Sequence, residues 1–141
     1  MGYGDGDDAT LLNDMQNDYA TVYLRQNFTV QAGEISSRLL VRVYCDDGAI
    51  VWINGQEVGR VFVTGGDKNF DDTGTNHEAA WEEILVLNAR NVLFGGTNVI
   101  AIHALNATTL AVVISQSMRS LRLRMRAPRA VSPPRGRRIA S

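Results

Sequence analysis

Two stretches of this 141-residue chain carry side chains whose types and spacing could do chemistry. One is Asp46-Asp47, a pair of adjacent carboxylates ahead of Gly48. The other is the polar run Asp67–Glu78, in which Asp67, Asn69 and Asp71 alternate and Glu78 stands at the twelfth place. Carboxylate and amide oxygens spaced in this way are what a calcium ion takes as ligands. Asp67, Asp71 and Glu78 are therefore the candidate metal ligands, and calcium is the one cofactor the chemistry suggests. The sixth place of the run is Asp72, where a helix-loop-helix calcium loop needs glycine for its turn, so that motif is excluded and a looser oxygen site is left. Polar groups beside an aromatic ring also suit a sugar, whose hydroxyls seek hydrogen bonds and whose C–H faces seek a flat apolar platform. Asp46, Asp47, Asn69, Trp81 and His103 are the candidate ligand-binding residues on that ground, with Trp81 as the stacking ring.

Each candidate also has a plain structural account. Aspartate is favoured in turns whatever it binds. Two neighbouring carboxylates supply only part of a calcium shell. His77 stands in a polar loop, and His103 lies in an apolar run where a core or rim histidine is common. Zinc needs three or four ligands, and only His77 with Asp72 and Glu78 offers a start. Cys45 is the single cysteine, so no internal disulfide forms; its strand-like setting reads as a small core residue. No nucleophile elbow, phosphate-cradling loop or cysteine pair is present, and the chain reads as a non-enzyme.

The elements that must position these residues centre on Leu39–Val58. Two β-branched runs flank Asp46-Asp47-Gly48, and Asn54-Gly55 follows. Asp-Gly and Asn-Gly between such runs signal tight hairpins, because those turns need positive φ. Three consecutive antiparallel strands are expected, at Arg38–Cys45, Ala49–Ile53 and Glu57–Val63. Thr21–Val30 is rich in strand formers, with Val22, Leu24 and Phe28 expected to face inward. Thr64–Glu78 is a long polar loop. Trp81–Leu87 reads as a strand or a short amphipathic segment. Asn88 is placed to cap one helical turn over Ala89–Phe94. Asn98–Leu105 and Leu110–Ser115 read as further strands. Ser120–Arg126 alternates apolar and basic residues with the period of a strand, one face on the core and one in water.

About eight short strands with one helical turn imply an all-β antiparallel β-sandwich. Residues 1–127 form a single domain and residues 128–141 a disordered, Arg- and Pro-rich basic tail. Hydrophobic residues make up 45% of the chain and charged ones 21%, which is globular composition. No apolar run is long enough to span a membrane as a helix. The N-terminus has no secretory pattern, so the chain is either made in the cytoplasm or a piece of a longer exported one. The net charge of −1 hides an asymmetry: all fifteen acids precede Arg119, and eight arginines but no acid follow from there. A basic end can bind nucleic acid. Three of these arginines, however, alternate within an expected strand and few aromatics are interleaved for base stacking, which favours a basic strand against an acidic body.

Four stretches together resemble a family of bacterial extracellular accessory modules with a jelly-roll, galactose-binding-like fold. They are Gly2-Tyr3-Gly4-Asp5-Gly6-Asp7-Asp8, Thr21–Arg25, Asp46–Val58 and Gly96–His103. The resemblance implies a non-catalytic, carbohydrate-binding-like or spacer role beside a secreted enzyme, and an extracellular location. The Asp-Asp-Gly…Asn-Gly stretch is also similar to the lectin domain named after anthrax protective antigen, which implies a calcium-dependent sugar site near Asp46 and Asp47. Family members carry further strands before the Gly-Tyr-Gly-Asp-Gly segment, so the resemblance implies a module truncated at its N-terminus. The alternative is a structural or protein-interaction module without a small ligand, a homodimer through the sheet edge those strands leave uncovered.

Overall fold

A computed structural model of the chain describes residues 12, 14, 15 and 17–108, together with the backbone of 122–125. The described residues form seven strands: β1 (Thr21–Val30), β2 (Leu39–Cys45), β3 (Gly48–Ile53), β4 (Gln56–Val61), β5 (Ala80–Val86), β6 (Gly96–Leu105) and β7 (Arg122–Met125). All pairings are antiparallel. One sheet has the order β1-β6-β3-β4 and the other β5-β2-β7. The expected all-β sandwich is what forms.

Alternation builds the core. Leu39, Val41, Val43 and Cys45 of β2 are buried, while Leu40, Arg42 and Tyr44 between them are half-exposed. The buried row packs with Ile84 of β5 against Ala49, Val51 and Ile53 of β3 and Ile100 and Ile102 of β6. Leu24 and Phe28 of β1 lean on this cluster, and Val22 packs on buried Met15. At about 25 cal/mol per Å² of apolar surface removed from water, such a shared core is the main term holding the two sheets together. β3 is buried on both faces: Ile50 points away from the inter-sheet core yet is as buried as Val51. It shares that outer row with His103, its register partner on β6, and with Leu105.

The turns divide. Asn54 and Gly55 both have positive φ, 50° and 81°, and close the β3–β4 hairpin as expected. Asp46-Asp47-Gly48 does not make a hairpin. β2 and β3 belong to different sheets, and the chain crosses from one to the other at Asp46-Asp47. Gly48 has ordinary φ; its value is room, since a Cβ there would stand 2.8 Å from Val63 Cγ2 and 2.9 Å from the Phe62 carbonyl oxygen.

One further expectation is corrected. The helical turn after Asn88 is a single 3₁₀ turn, Ala89–Asn91, with no side-chain cap from Asn88, and a second one forms at Ala32–Glu34. Of the expected strand Ser120–Arg126, residues 122–125 are described and form β7, whose register sets Leu123 and Met125 opposite the buried Val41 and Leu39. The Gly2–Asp8 loop, the Leu110–Ser115 strand and the basic tail lie outside the described residues.

Candidate functional site

The acidic bend is structural. Asp47 is buried, and both its carboxylate oxygens accept backbone hydrogen bonds: Oδ1 from His77 N at 2.8 Å, Oδ2 from Ala107 N at 2.6 Å. It fastens the inter-sheet crossover to the long loop and to the segment after β6. Asp46, beside it, is half-buried.

The long loop, residues 62–79, is tied down along its length. The Arg60 guanidinium is held by the Glu57 carboxylate and donates to the Gly66 carbonyl at 2.7 Å. Glu57 keeps its carboxyl below the ordinary value chiefly through this hydrogen bond. Thr21 Oγ1 donates to the Phe70 carbonyl at 2.7 Å, Gly74 N to Asn106 O at 2.9 Å, and Thr75 N to Phe62 O at 2.8 Å. Asp72 accepts from Asn69 N at 2.6 Å and faces Lys68 Nζ at 3.9 Å. His77 stacks on Phe62, ring centroids 3.6 Å apart. Asp67, Asn69, Asp71 and Glu78 are exposed on this frame. Among the described residues no three His, Cys, Asp or Glu side chains are grouped so as to hold a metal ion.

His103 is 1% exposed, under the ring of Tyr23 at 4.1 Å, and its Nε2 has no hydrogen-bond partner. Burial pushes the imidazole below its ordinary value, and nearby Asp72 opposes that shift. Cys45 is equally enclosed: burial first, then Glu82, Asp46 and Asp47, push its thiol up to about 12, so no thiolate forms near neutral pH.

Trp81 is in a different position. It lies on the outer face of the β5-β2-β7 sheet and is 38% exposed. Its register partner Tyr44 meets it edge-on at 5.5 Å, and the Arg42 guanidinium carbon lies 5.1 Å from its ring centroid. Arg42 in turn pairs with its own register partner Glu83, Nε to Oε1 at 3.2 Å. Leu40 and Leu85 extend the row, with Leu85 50% exposed. The result is an aromatic ring held in one orientation, bordered by a cation and a carboxylate. The sequence marks Trp81 but not Tyr44, Arg42 or Glu83. Their signal is cross-strand register, at which opposite-charge and aromatic pairs two positions apart on two runs only hint.

The structure therefore does not gather the candidates into one site. Asp46 and Asp47 belong to the crossover, Asp67, Asn69, Asp71 and Glu78 to the loop, His103 to the covered face of the larger sheet, and Trp81 to the open face of the smaller one.

No family model matches the chain, and no curated protein does. Among solved structures, the crystal structure of the Ruminococcus gnavus beta-glucuronidase is similar over 62% of this chain, with a TM-score of 0.43 and 15% sequence identity. The match spans 12% of the length of that enzyme.

Proposed function

We propose that this chain is a non-catalytic carbohydrate-binding accessory module with a jelly-roll, galactose-binding-like fold, working outside the cell. The observation that carries the reading is the exposed Trp81 ring, fixed by Tyr44 and flanked by Arg42 and Glu83. A sugar presents an apolar C–H face to such a ring and hydroxyls to the charged groups at its border. Exposure of a large ring on a sheet face, where water must be displaced to cover it, favours a ligand that stacks. The exposed carboxylates of Asp67, Asp71 and Glu78 extend the proposal to calcium, which would have to draw them together from one loop.

The test is a glycan array probed with the full chain, with and without calcium. Binding that disappears in Trp81→Ala, while the melting temperature of that variant stays near that of the parent, is the expected result. An array with no signal above background under both conditions sinks the reading.

A second reading is favoured by β1. All ten of its residues pair with β6, and no other strand pairs with it among the described residues. An edge of that length can join a second copy. Light scattering over a range of concentrations decides: a dimer supports this reading, and a monomer throughout removes it.

A further inference from the structure

The outer face of the larger sheet is covered at one end and open at the other. Register sorts its side chains into rows that cross the strands. One row runs Tyr23, His103, Ile50 and Arg60, from β1 through β6 and β3 to β4. His103 and Ile50 are buried there, and the long loop reaches this end through Thr21 and Arg60. The next row runs Arg25, Ala101, Trp52 and Glu57. Ala101 and Trp52 are half-exposed, and so is Val99, which stands opposite Asn27. These residues alternate with Ile100, Ile102, Val51 and Ile53 of the inter-sheet core, so they share the outward face.

The row has the shape of a trough. With strands about 4.8 Å apart, Arg25 and Trp52 stand roughly 10 Å from each other across the small Ala101 side chain. Val99 and Ala101 make the floor, the indole of Trp52 one wall, and the exposed Arg25 and Asn27 the other. Tyr23, stacked on His103 at 4.1 Å, closes the covered end. Among the described residues no carboxylate pairs with Arg25. Glu57, beyond Trp52, is held on both oxygens by Arg60, at 2.6 and 2.7 Å.

We propose that this trough is a second carbohydrate site, on the sheet opposite Trp81, and that it takes a neutral oligosaccharide. The proposal rests on the carbohydrate reading above and adds a site and a ligand class. A sugar ring lays its C–H face on an apolar floor and against an indole. Its hydroxyls donate as well as accept, and the rim answers both: Arg25 donates, Asn27 does either, and Glu57 accepts. An acidic chain laid across the row would be drawn by Arg25 and repelled by Glu57. An apolar protein surface would bury Arg25 and Asn27 without partners, which is costly.

The chain has two tryptophans, so one substitution leaves each as the sole reporter. The experiment is a fluorescence titration of full-length Trp81→Phe and of full-length Trp52→Phe. The probes are cellotetraose, mannotetraose and xylotetraose, with tetragalacturonate as the charged comparison. A saturable blue shift of Trp52 emission in Trp81→Phe is expected with at least one neutral probe. Adding Arg25→Ala and Asn27→Ala to that variant should weaken the response about tenfold or more through lost rim hydrogen bonds. Both side chains are exposed, so the melting temperature should not change. A response of Trp81 alone overturns the second site and leaves the carbohydrate reading standing. So does a Trp52 response untouched by the rim substitutions. Tighter binding of tetragalacturonate than of every neutral probe overturns the ligand class. Silence of both tryptophans with every probe overturns the second site and the carbohydrate reading together.

Discussion

Asp47 Oδ1 accepts a hydrogen bond from the backbone N–H of His77, thirty residues away, at 2.8 Å. That bond, with its twin to Ala107 N, makes one buried carboxylate the junction of three segments that have no regular pairing with one another. Removing the carboxylate strands two part-buried backbone donors. Each unsatisfied donor costs about 1–3 kcal/mol. Asp47→Ala should therefore lower the unfolding free energy by roughly 2–5 kcal/mol, and Asp47→Asn, which keeps one acceptor oxygen, by less. Urea denaturation of the three proteins measures this. Equal midpoints for parent and Asp47→Ala would contradict the role given to the carboxylate.

Gly48 follows Asp47 in the most hairpin-like dipeptide of the chain, yet its service is close approach. A methyl group there meets Val63 Cγ2 at 2.8 Å, Phe62 O at 2.9 Å and Val61 O at 3.1 Å, and the Phe62 carbonyl is already held by Thr75 N. Backbone cannot give way as a side-chain tip can. Gly48→Ala should cost about 1–3 kcal/mol, the usual range for overpacking. Gly33, where an added methyl meets nothing within 4 Å, is the control. Gly33→Ala should be neutral or stabilising by up to about 1 kcal/mol, because alanine restricts the unfolded chain. A thermal melt in which the two variants behave alike would remove the packing argument.

These two positions show where local sequence is informative and where it is not. Asn54-Gly55 is readable because the demand is local: two successive positive φ angles, met by the two residue types that tolerate them. Asp46-Asp47-Gly48 carries the same residue types for distant reasons, a buried carboxylate and a missing Cβ, and a local reading cannot tell these from a turn. The strands from Thr21 to Leu105 are legible because alternation is local too, apart from ends that differ by one or two residues. Which strands pair is not local. The order β5-β2-β7 sets Tyr44 beside Trp81 and Arg42 beside Glu83 across about forty residues of chain, and the neighbours of Trp81 emerge only with that register. The apolar run around His103 marks its strand, but the depth of its burial depends on Tyr23 and on a loop that returns from elsewhere.

Asn98 carries a network that apolar patterning passes over. It is fully buried at the start of the apolar part of β6. Its Oδ1 accepts from Asn54 Nδ2 at 2.8 Å and Phe94 N at 2.9 Å, and its Nδ2 donates to the Phe94 and Gly96 carbonyls at 2.8 and 3.0 Å. Asn54 in turn accepts from Val99 N and donates to Val92 O. One amide thus satisfies the β3–β4 turn and the bend before β6 together. Asn98→Ala leaves several part-buried groups without partners and should destabilise by about 1–3 kcal/mol. Asn98→Asp keeps the acceptor but loses the donors, and adds a buried charge, so it should be no better tolerated. Guanidinium unfolding midpoints test both, and an Asn98→Asp variant as stable as the parent would exclude the donor bonds.

His103 makes stability depend on pH. Its imidazole is buried, stacked on Tyr23, and has an Nε2 with no acceptor in reach, so a proton added there has nothing to bond to; Asp72 on the returning loop offsets only part of the cost. The folded-state value therefore lies below that of the unfolded chain, about 6.5. With the folded value depressed, the unfolded state takes up the proton first as pH falls. Stability from this group is complete above about pH 6.5, declines as pH drops below it, and stops declining once pH passes under the folded value. The other histidine, His77, stands 3.7 Å from a Glu82 carboxylate oxygen, so the measurement isolates His103 by comparing the parent with His103→Gln. Melting temperatures recorded from pH 8 to pH 5 should fall more steeply for the parent than for His103→Gln, and parallel curves would show that the buried imidazole is protonated without penalty.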